Sequence, residues 1–327
     1  MQLQVDTSGT TGLIEVIAKG ADPASPDDGL IAFPPALGTG TIQRFTLSPS
    51  LFVMLHHYVL TADVRLRRRA EPGNKHLITF SFRNVVRPAD SLPNGVSTGQ
   101  PTHLLPSVQV SSSDIDLDLF FPSGTQINTI IIGIDVALLK QLTQSQAENP
   151  LVQTMLSAHQ SYLYEAIGSP VVQQIATELM AKRTTDPLLT FYLTIKAQAL
   201  IYQFISELLR RGTRVGYSLR DDDVKTLFAV RSRLVADLSQ LPSVPELARF
   251  AGMSESKLRR LFGQVFGMSP YDYYQTVRMH EAARLLREAK QSVSETGYRL
   301  GFTNLSHFTR VFEKHLGQKP KQYAGRK

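Results

Sequence analysis

The 327-residue sequence contains no cysteine, which excludes disulfide scaffolds, thiolate zinc sites, cysteine nucleophiles and repair enzymes that accept alkyl groups on cysteine. A reducing cytoplasm fits that composition. No run approaches the roughly 18 to 20 apolar residues that a bilayer span needs, and Met1 to Gly20 shows no basic start followed by an apolar stretch. The chain is therefore expected to be soluble, cytoplasmic and without a membrane partner. A nucleophile motif, a P-loop and a dinucleotide fingerprint are also missing, so no catalytic residue and no cofactor is expected.

With 42% hydrophobic, 8% aromatic and 19% charged residues, the composition is that of a globular chain long enough for two or three domains. The formal charge is +7, and its placement says more than its size. From Arg220 to Lys327 there are 19 Lys and Arg against 11 Asp and Glu, a balance of +8, while the remainder holds 16 against 17, a balance of −1. A neutral body joined to a basic module is the layout of a sensor attached to a polyanion binder. A merely solvated basic surface is the other reading that charge allows.

Between Gly29 and about Ile134 the pattern is that of strands. Short runs such as Leu51 to Tyr58 and Leu77 to Phe82, and the alternating patch Ile115 to Phe121, are broken by turn residues such as Gly38-Thr39-Gly40 and Leu92 to Gly95. A small antiparallel barrel or sandwich follows. Residues 1 to 28 and Arg87 to Pro106 read as loops or edge strands.

From Asp135 the period shifts toward 3.6, and helices are expected over Val136 to Gln144, Leu151 to Tyr164, Pro170 to Ala181 and Pro187 to Arg211. In the last of these, Phe191, Ile195, Leu200, Ile205, Leu208 and Leu209 recur near helical spacing, and Gly212 closes the helix. It can pack against the barrel or against a second subunit. Arg211 to Arg220 reads as a linker, after which Asp221, Asp222 and Asp223 place negative charge at the start of a further helix.

Comparing the last 85 residues with themselves exposes a repeat at an offset of 50. Leu258, Arg260, Phe262, Gly267, Pro270 and Tyr273 recur as Phe308, Arg310, Phe312, Gly317, Pro320 and Tyr323. Such register marks a duplicated unit. In the first copy Val244, Leu247 and Ala248 give a helix face, Gly252 a turn, and Ser254 a cap for a second helix with Leu258, Leu261, Phe262 and Val265 inward. In the second copy Gly301 and Asn304 stand in the matching places, before a helix with Phe308, Val311 and Phe312 inward. Both follow the helix-turn-helix plan, whose second helix enters the DNA major groove.

The outward side of each second helix is then the candidate contact surface. The first offers Ser256, Lys257, Arg259 and Arg260; the second offers Asn304, Leu305, Ser306, His307, Thr309 and Arg310. Most are donors suited to phosphates and guanine acceptors, and Leu305 suits a thymine methyl. Solvated helix residues with no ligand are the bland alternative, and Arg310 also has a place in helix packing open to it. Ser269-Pro270 begins a connecting helix of roughly 20 residues, about 30 Å long, close to one turn of B-DNA. Two reading helices on one polypeptide need no palindrome.

These residues resemble the AraC/XylS type of bacterial transcription regulator. The resemblance rests on Glu246-Leu247-Ala248, Met253 to Leu258, Leu261-Phe262, Phe266-Gly267, Tyr273, Arg278, Ala282-Ala283, Leu285-Leu286 and above all Val293 to Phe312 followed by Gly317 and Pro320, and it covers about residues 223 to 325. It implies an α+β chain in two parts: an N-terminal antiparallel β barrel of cupin-like form with following helices, then an all-α domain of two helix-turn-helix units joined by a long helix. The expected domains are 1–145, a sensor barrel; 146–219, a helical dimerisation or linker region; and 220–327, the DNA-binding domain. Where such proteins commonly carry Ile-Ala in the first helix of the second unit, this chain has Thr296-Gly297. Glycine within a helix costs up to about 1 kcal/mol against alanine, so the second unit is expected to be the softer one.

A metal-binding cupin needs clustered histidines with a carboxylate. Here His56 and His57 are adjacent and would point to opposite faces of a strand, while His76 and His103 sit in or near turns. No metal is expected. Phe45, Met54, Tyr58, Phe80 and Phe82, with Arg44 and Arg83 nearby, are the candidate lining of a lumen for a small effector, although aromatics also simply fill small barrels. The leading reading is a sequence-specific, nucleoid-associated regulator of promoter DNA, controlled by an effector or by homodimerisation through Pro187 to Arg211, and touching RNA polymerase if it activates. An architectural DNA-coating protein, or a cupin enzyme with a DNA-binding tail, are the alternatives.

Overall fold

The computed structural model describes residues 2–8, 30–32, 35, 37–69, 76–86, 106–113, 117–121, 123–143, 150–157, 162–181, 185–211, 221–287 and 290–325. The stretch Arg87 to Leu105 and residues 9 to 28, read as loops or edge strands, and the linker at 212–220 lie outside the described residues, while Gln2–Ser8, ahead of them, form a strand. The chain divides into two compact units that separate between Lys225 and Thr226. The first is β-rich with helices, and the second is helical: the two-part α+β arrangement.

In the first unit, seven strands make one antiparallel sheet, in the order β10 (Leu163–Ile167), β7 (Ser107–Ser112), β6 (Leu77–Val86), β9 (Gln126–Asp135), β4 (Leu51–Leu60), β3 (Gly38–Ser48) and β2 (Leu30–Ala32). A second sheet of three runs β1 (Gln2–Ser8), β5 (Asp63–Arg69) and β8 (Leu117–Phe121), with β1 parallel to β5. One face of the larger sheet, carrying Val53, Phe80, Val110 and Ile132, is covered by α1 (Val136–Thr143), α2 (Pro150–Ser157), α3 (Pro170–Met180) and α4 (Leu189–Arg211). The other face meets the small sheet through Ile42, Tyr58, Leu60, Val64 and Ile127. The helices of the expected 146–219 region thus share one core with the sheet.

One expectation fails. The helix read over Leu151 to Tyr164 ends at Ser157, and Leu163–Ile167 is a strand pairing with β7. Its alternation explains the difference. Tyr164 and Ala166 join the helix-covered core, and the buried Glu165 points to the opposite face, a period of two that pairing with an edge rewards.

Helix α4 resolves the two packings left open for it by taking one and exposing a second apolar face. Leu193, Ala197, Leu200, Ile201, Phe204, Ile205 and Leu208 are buried in the shared core, with the Phe204 ring edge-on to Phe80 and Tyr164. Leu188, just before the helix, and Phe191, Ile195, Tyr202 and Leu209 are exposed, Tyr202 by 70%.

In the second unit α5 (Asp221–Leu234) leads into α6 (Val244–Ala251) and α7 (Glu255–Phe266). The connector α8 (Pro270–Arg287) follows, then α9 (Val293–Arg299), α10 (Leu305–Leu316) and α11 (Pro320–Ala324). The connector has 18 residues, about 27 Å at 1.5 Å per residue. Its two halves serve different partners. Tyr273, near its start, packs against Phe262 and Phe266 of α7, and Ala282, Leu285 and Leu286, near its end, bury Phe308 and Phe312 of α10.

Candidate nucleic-acid interface

Each helix-turn-helix is set by local chemistry. Ser243 caps α6, accepting from the Glu246 backbone N–H at 3.3 Å while its own N–H donates to the Glu246 carboxylate at 2.8 Å; Ser292 and Glu295 do the same for α9. The serine hydrogen bonds hold both carboxyls below the usual carboxylate range. Since the folded pKa is depressed, the capping contribution is present at neutral pH and fades only as acid protonates these groups.

The duplication read at an offset of 50 is carried through to geometry. Helices α7 and α10 both have 12 residues, capped by Ser254 and by Asn304 and closed by Gly267 at φ 69° and Gly317 at φ 71°. Pro270 and Pro320 are both buried at the start of the next helix. Tyr273 stands edge-on to Phe262 with centroids 5.7 Å apart, and Tyr323 stands edge-on to Phe312 at 5.5 Å.

The turns differ. Gly252 lies at φ 60° with nothing near its missing side chain, whereas Gly301, at φ 76°, lies under the backbone of the segment that follows α5. A Cβ on Gly301 would sit 2.1 Å from the Ser239 carbonyl oxygen.

On α7, Ser256, Arg259 and Arg260 are exposed and Lys257 is half-buried; Arg259 reaches Glu255 at 3.4 Å, one turn back. On α10, Ser306, His307 and Arg310 are exposed, and Leu305 and Thr309 are half-buried. Arg310 thus faces solvent instead of packing between helices. The His307 ring packs edge-on to Phe302 at 5.7 Å, which orients it. Asn304 accepts the Ser306 and His307 N–H groups at 2.9 and 3.0 Å, so its carbonyl oxygen is used by the cap. Leu305 leans inward, its Cδ2 only 2.7 Å from where a Cβ on Gly297 would be.

That contact revises the reading of Thr296-Gly297 as a weak spot. Gly297 lets Leu305 and Phe308 approach α9 closely, and alanine there would require both to shift. The neighbouring Thr296 is fully buried, and its hydroxyl has no hydrogen-bond partner. Thr296→Val keeps the shape and removes that hydroxyl, so it is expected to stabilise the second unit by about 1 kcal/mol. Slower amide hydrogen exchange in α9 and α10 is the result to look for; unchanged or faster exchange would mean the hydroxyl is satisfied after all.

The sequence pattern gave no role to Arg278, which the structure places between the two copies. It is buried; its Nε donates to the Leu300 carbonyl at 2.8 Å, its Nη2 donates to the same oxygen, and its guanidinium lies 3.7 Å from the Phe302 ring centroid. The middle of the connector thereby grips the turn of the second unit. Periodicity shows only a helical residue there; a lone arginine among Val277, Met279 and Ala282 was the available signal.

The candidate lumen does not assemble. Strand register puts Arg44, Met54, Tyr58 and Arg83 on one face of the large sheet and Phe45, Phe80 and Phe82 on the other, under the helices. Side chains alternate along a strand, so Arg44 and Phe45 point to opposite faces, as do Phe82 and Arg83; of the seven candidates only Phe82 and Arg83 border a common cavity, at one end of the helix-covered face. By the same rule His56 and His57 face opposite ways. His56 is buried, its pKa pushed down to about 4 by desolvation, and His57 is exposed.

Residues 247–326 match a family model described as a helix-turn-helix domain. The chain is 34% identical over 105 residues to an uncharacterized HTH-type transcriptional regulator of Haemophilus influenzae, covering 30% of this chain and 35% of that protein. It is 29% identical over 161 residues to the HTH-type transcriptional activator RhaR of Yersinia pseudotuberculosis, covering 49% and 53%. The chain thus spans about a third to a half of the length of these curated relatives. Among solved structures, a transcriptional regulator of Chromobacterium violaceum described as having an AraC-type DNA-binding domain is 27% identical, with 32% of this chain and 94% of that chain covered and a TM-score of 0.30.

Proposed function

From a C-terminal region that is a helix-turn-helix domain of the AraC type, we infer that the chain is a sequence-specific, DNA-binding regulator of transcription and not an enzyme. The observation that carries this is the paired arrangement of α7 and α10: two like helices, each exposing arginine and hydroxyl side chains, held by one buried connector about 27 Å long. That length is near one turn of B-DNA, roughly 34 Å, so the two helices suit successive major-groove segments. Arg259, Arg260 and Arg310 supply the guanidinium groups that pair with guanine or phosphate; Ser256, Lys257, Ser306, His307 and Thr309 supply further donors. Promoter DNA is the proposed partner, in the bacterial cytoplasm. No described helix is long and apolar enough to cross a membrane.

A competition titration at fixed salt tests this against simple DNA coating. Promoter duplex is expected to displace the chain from random duplex at concentrations at least 1000-fold lower, as specific sites are about 10³ to 10⁷ tighter than non-specific ones. Affinity should fall steeply with salt. Equal affinities for the two duplexes would leave only an architectural role.

The exposed stripe on α4 supports pairing with a second copy. Leu188, Ile195, Tyr202 and Leu209 are spaced by seven residues, with Phe191 three after the first, which sets them in one exposed apolar stripe along the helix. Large exposed apolar stripes are rare on monomers. Ile195→Glu with Tyr202→Glu should turn a dimer into a monomer by sedimentation equilibrium; a wild-type chain that is monomeric at tens of micromolar would end the idea.

A further inference from the structure

The helix-covered face of the large sheet changes character along its length. On β4 it runs from Leu51, Val53 and Leu55 to His57; on β9 from Ile134, Ile132 and Ile130 to Asn128; on β3 from Phe45 to Gln43 and Thr41. At the apolar end this face is packed solid against the helices. At the polar end α3 stands off from it and leaves a cavity of about 520 Å³. Val172, Ala176 and Met180 of α3 roof that polar floor with hydrocarbon, and Gln173 and Thr177 of the same helix border it while donating to the Gly168 and Gln173 carbonyls. The volume is within the range of small-molecule sites, and apolar walls with a few convergent polar groups are their usual lining.

The floor offers amides, a hydroxyl and an imidazole. The His57 Nδ1 and the Asn128 Oδ1 are 2.6 Å apart, which fixes both side chains and leaves the imidazole Nε2 and the Asn128 amide N–H groups for another partner. Arg83 also lines the space, but its guanidinium donates to Gln109 on the opposite face and lies 3.9 Å from Glu165, which answers its charge there. With amides, a hydroxyl and an imidazole on one side and hydrocarbon on the other, the cavity matches an uncharged molecule with carbonyl or hydroxyl groups along one edge. An ion of either sign would lose hydration with no opposite charge to replace it.

We propose that the cavity between α3 and the His57–Asn128 end of the sheet is a binding site for a neutral amphipathic small molecule. Its role as the effector site rests on the regulator reading above, but its occupancy does not. The site is separate from the opposite sheet face that holds Arg44, Met54 and Tyr58.

The neutral, carbonyl-bearing fluorophore 6-propionyl-2-dimethylaminonaphthalene is a suitable probe, titrated into the full chain without DNA. Saturable binding with one equivalent and blue-shifted emission is expected. Ala176→Phe, which fills the cavity, and His57→Leu, a change at an exposed position, should each weaken binding at least tenfold. Leu142→Ala, at an exposed position of α1 outside the cavity, should leave it unchanged. The anionic dye 1-anilinonaphthalene-8-sulfonate should not compete. Absence of saturable binding, binding that survives both cavity variants with the circular dichroism melt intact, or equal competition by the anion would each overturn the proposal. None of these outcomes touches DNA affinity, so the regulator reading stands or falls separately in the competition titration.

Discussion

Replacing Arg259 and Arg260 together by alanine is expected to weaken binding to the promoter site by about 2 to 6 kcal/mol, or roughly 30-fold to 10⁴-fold, if each reads a guanine. Each guanidinium that pairs with a base edge is worth about 1 to 3 kcal/mol, and the stated range is the sum for two separate base partners; a shared partner would make the loss smaller than that sum. Arg259 is exposed and its contact with Glu255 is a long, solvated one that contributes little to folding. Anisotropy titrations with promoter and random duplexes in parallel separate two modes. Base reading predicts that promoter affinity falls much more than random-duplex affinity; phosphate contact alone predicts that both fall together and that the salt slope shrinks. Promoter affinity unchanged in a folded double variant would remove α7 from the interface.

Gly301→Ala is expected to destabilise the second helix pair by at least about 3 kcal/mol. A residue with a Cβ pays about 1 to 2 kcal/mol to hold the left-handed conformation, and here the added atom would also collide with the Ser239 carbonyl, which belongs to backbone and cannot rotate away. Gly252→Ala meets only the first of these costs, because nothing lies within 4 Å of its Cβ position. Hydrogen exchange measured on the full chain distinguishes the two: α9 and α10 lose protection strongly in the Gly301 variant, and α6 and α7 lose it mildly in the Gly252 variant. Equal, small effects would show that the Ser239 contact yields easily.

Much of the second unit was legible because its signals are local. Capping serines, closing glycines and the proline after each of them act within a few residues, and the 50-residue repeat doubled every one of those signals. What was missed depends on register or on distant partners. Tyr162 to Ile167 reads as helix or strand until β7 is beside it to reward the alternation. Arg44 and Phe45 were grouped by chemistry, although the alternation already applied to His56 and His57 separates them as firmly. Gly297 reads as a helix defect when seen in its own helix, and as an accommodation once Leu305 and Phe308 are beside it. The two faces of α4 could not be told apart by period alone, since both are apolar; burial assigns Leu200 to one and Tyr202 to the other.

The backbone just past α5 has a consequence for anyone cutting the chain. Leu238 packs with the core around Phe308 and Phe312, its carbonyl accepts the Tyr274 hydroxyl at 2.8 Å, and Ser239 rests on Gly301. A stretch that precedes the first helix pair thus serves as the floor of the last one. A fragment trimmed to the matched helices alone, beginning near residue 247, would keep every side chain proposed to meet DNA and yet leave its final helix pair without a foundation. Helix α5 itself sets Phe228 against Phe266 of α7, so this one run of chain, helix and tail together, touches both helix pairs.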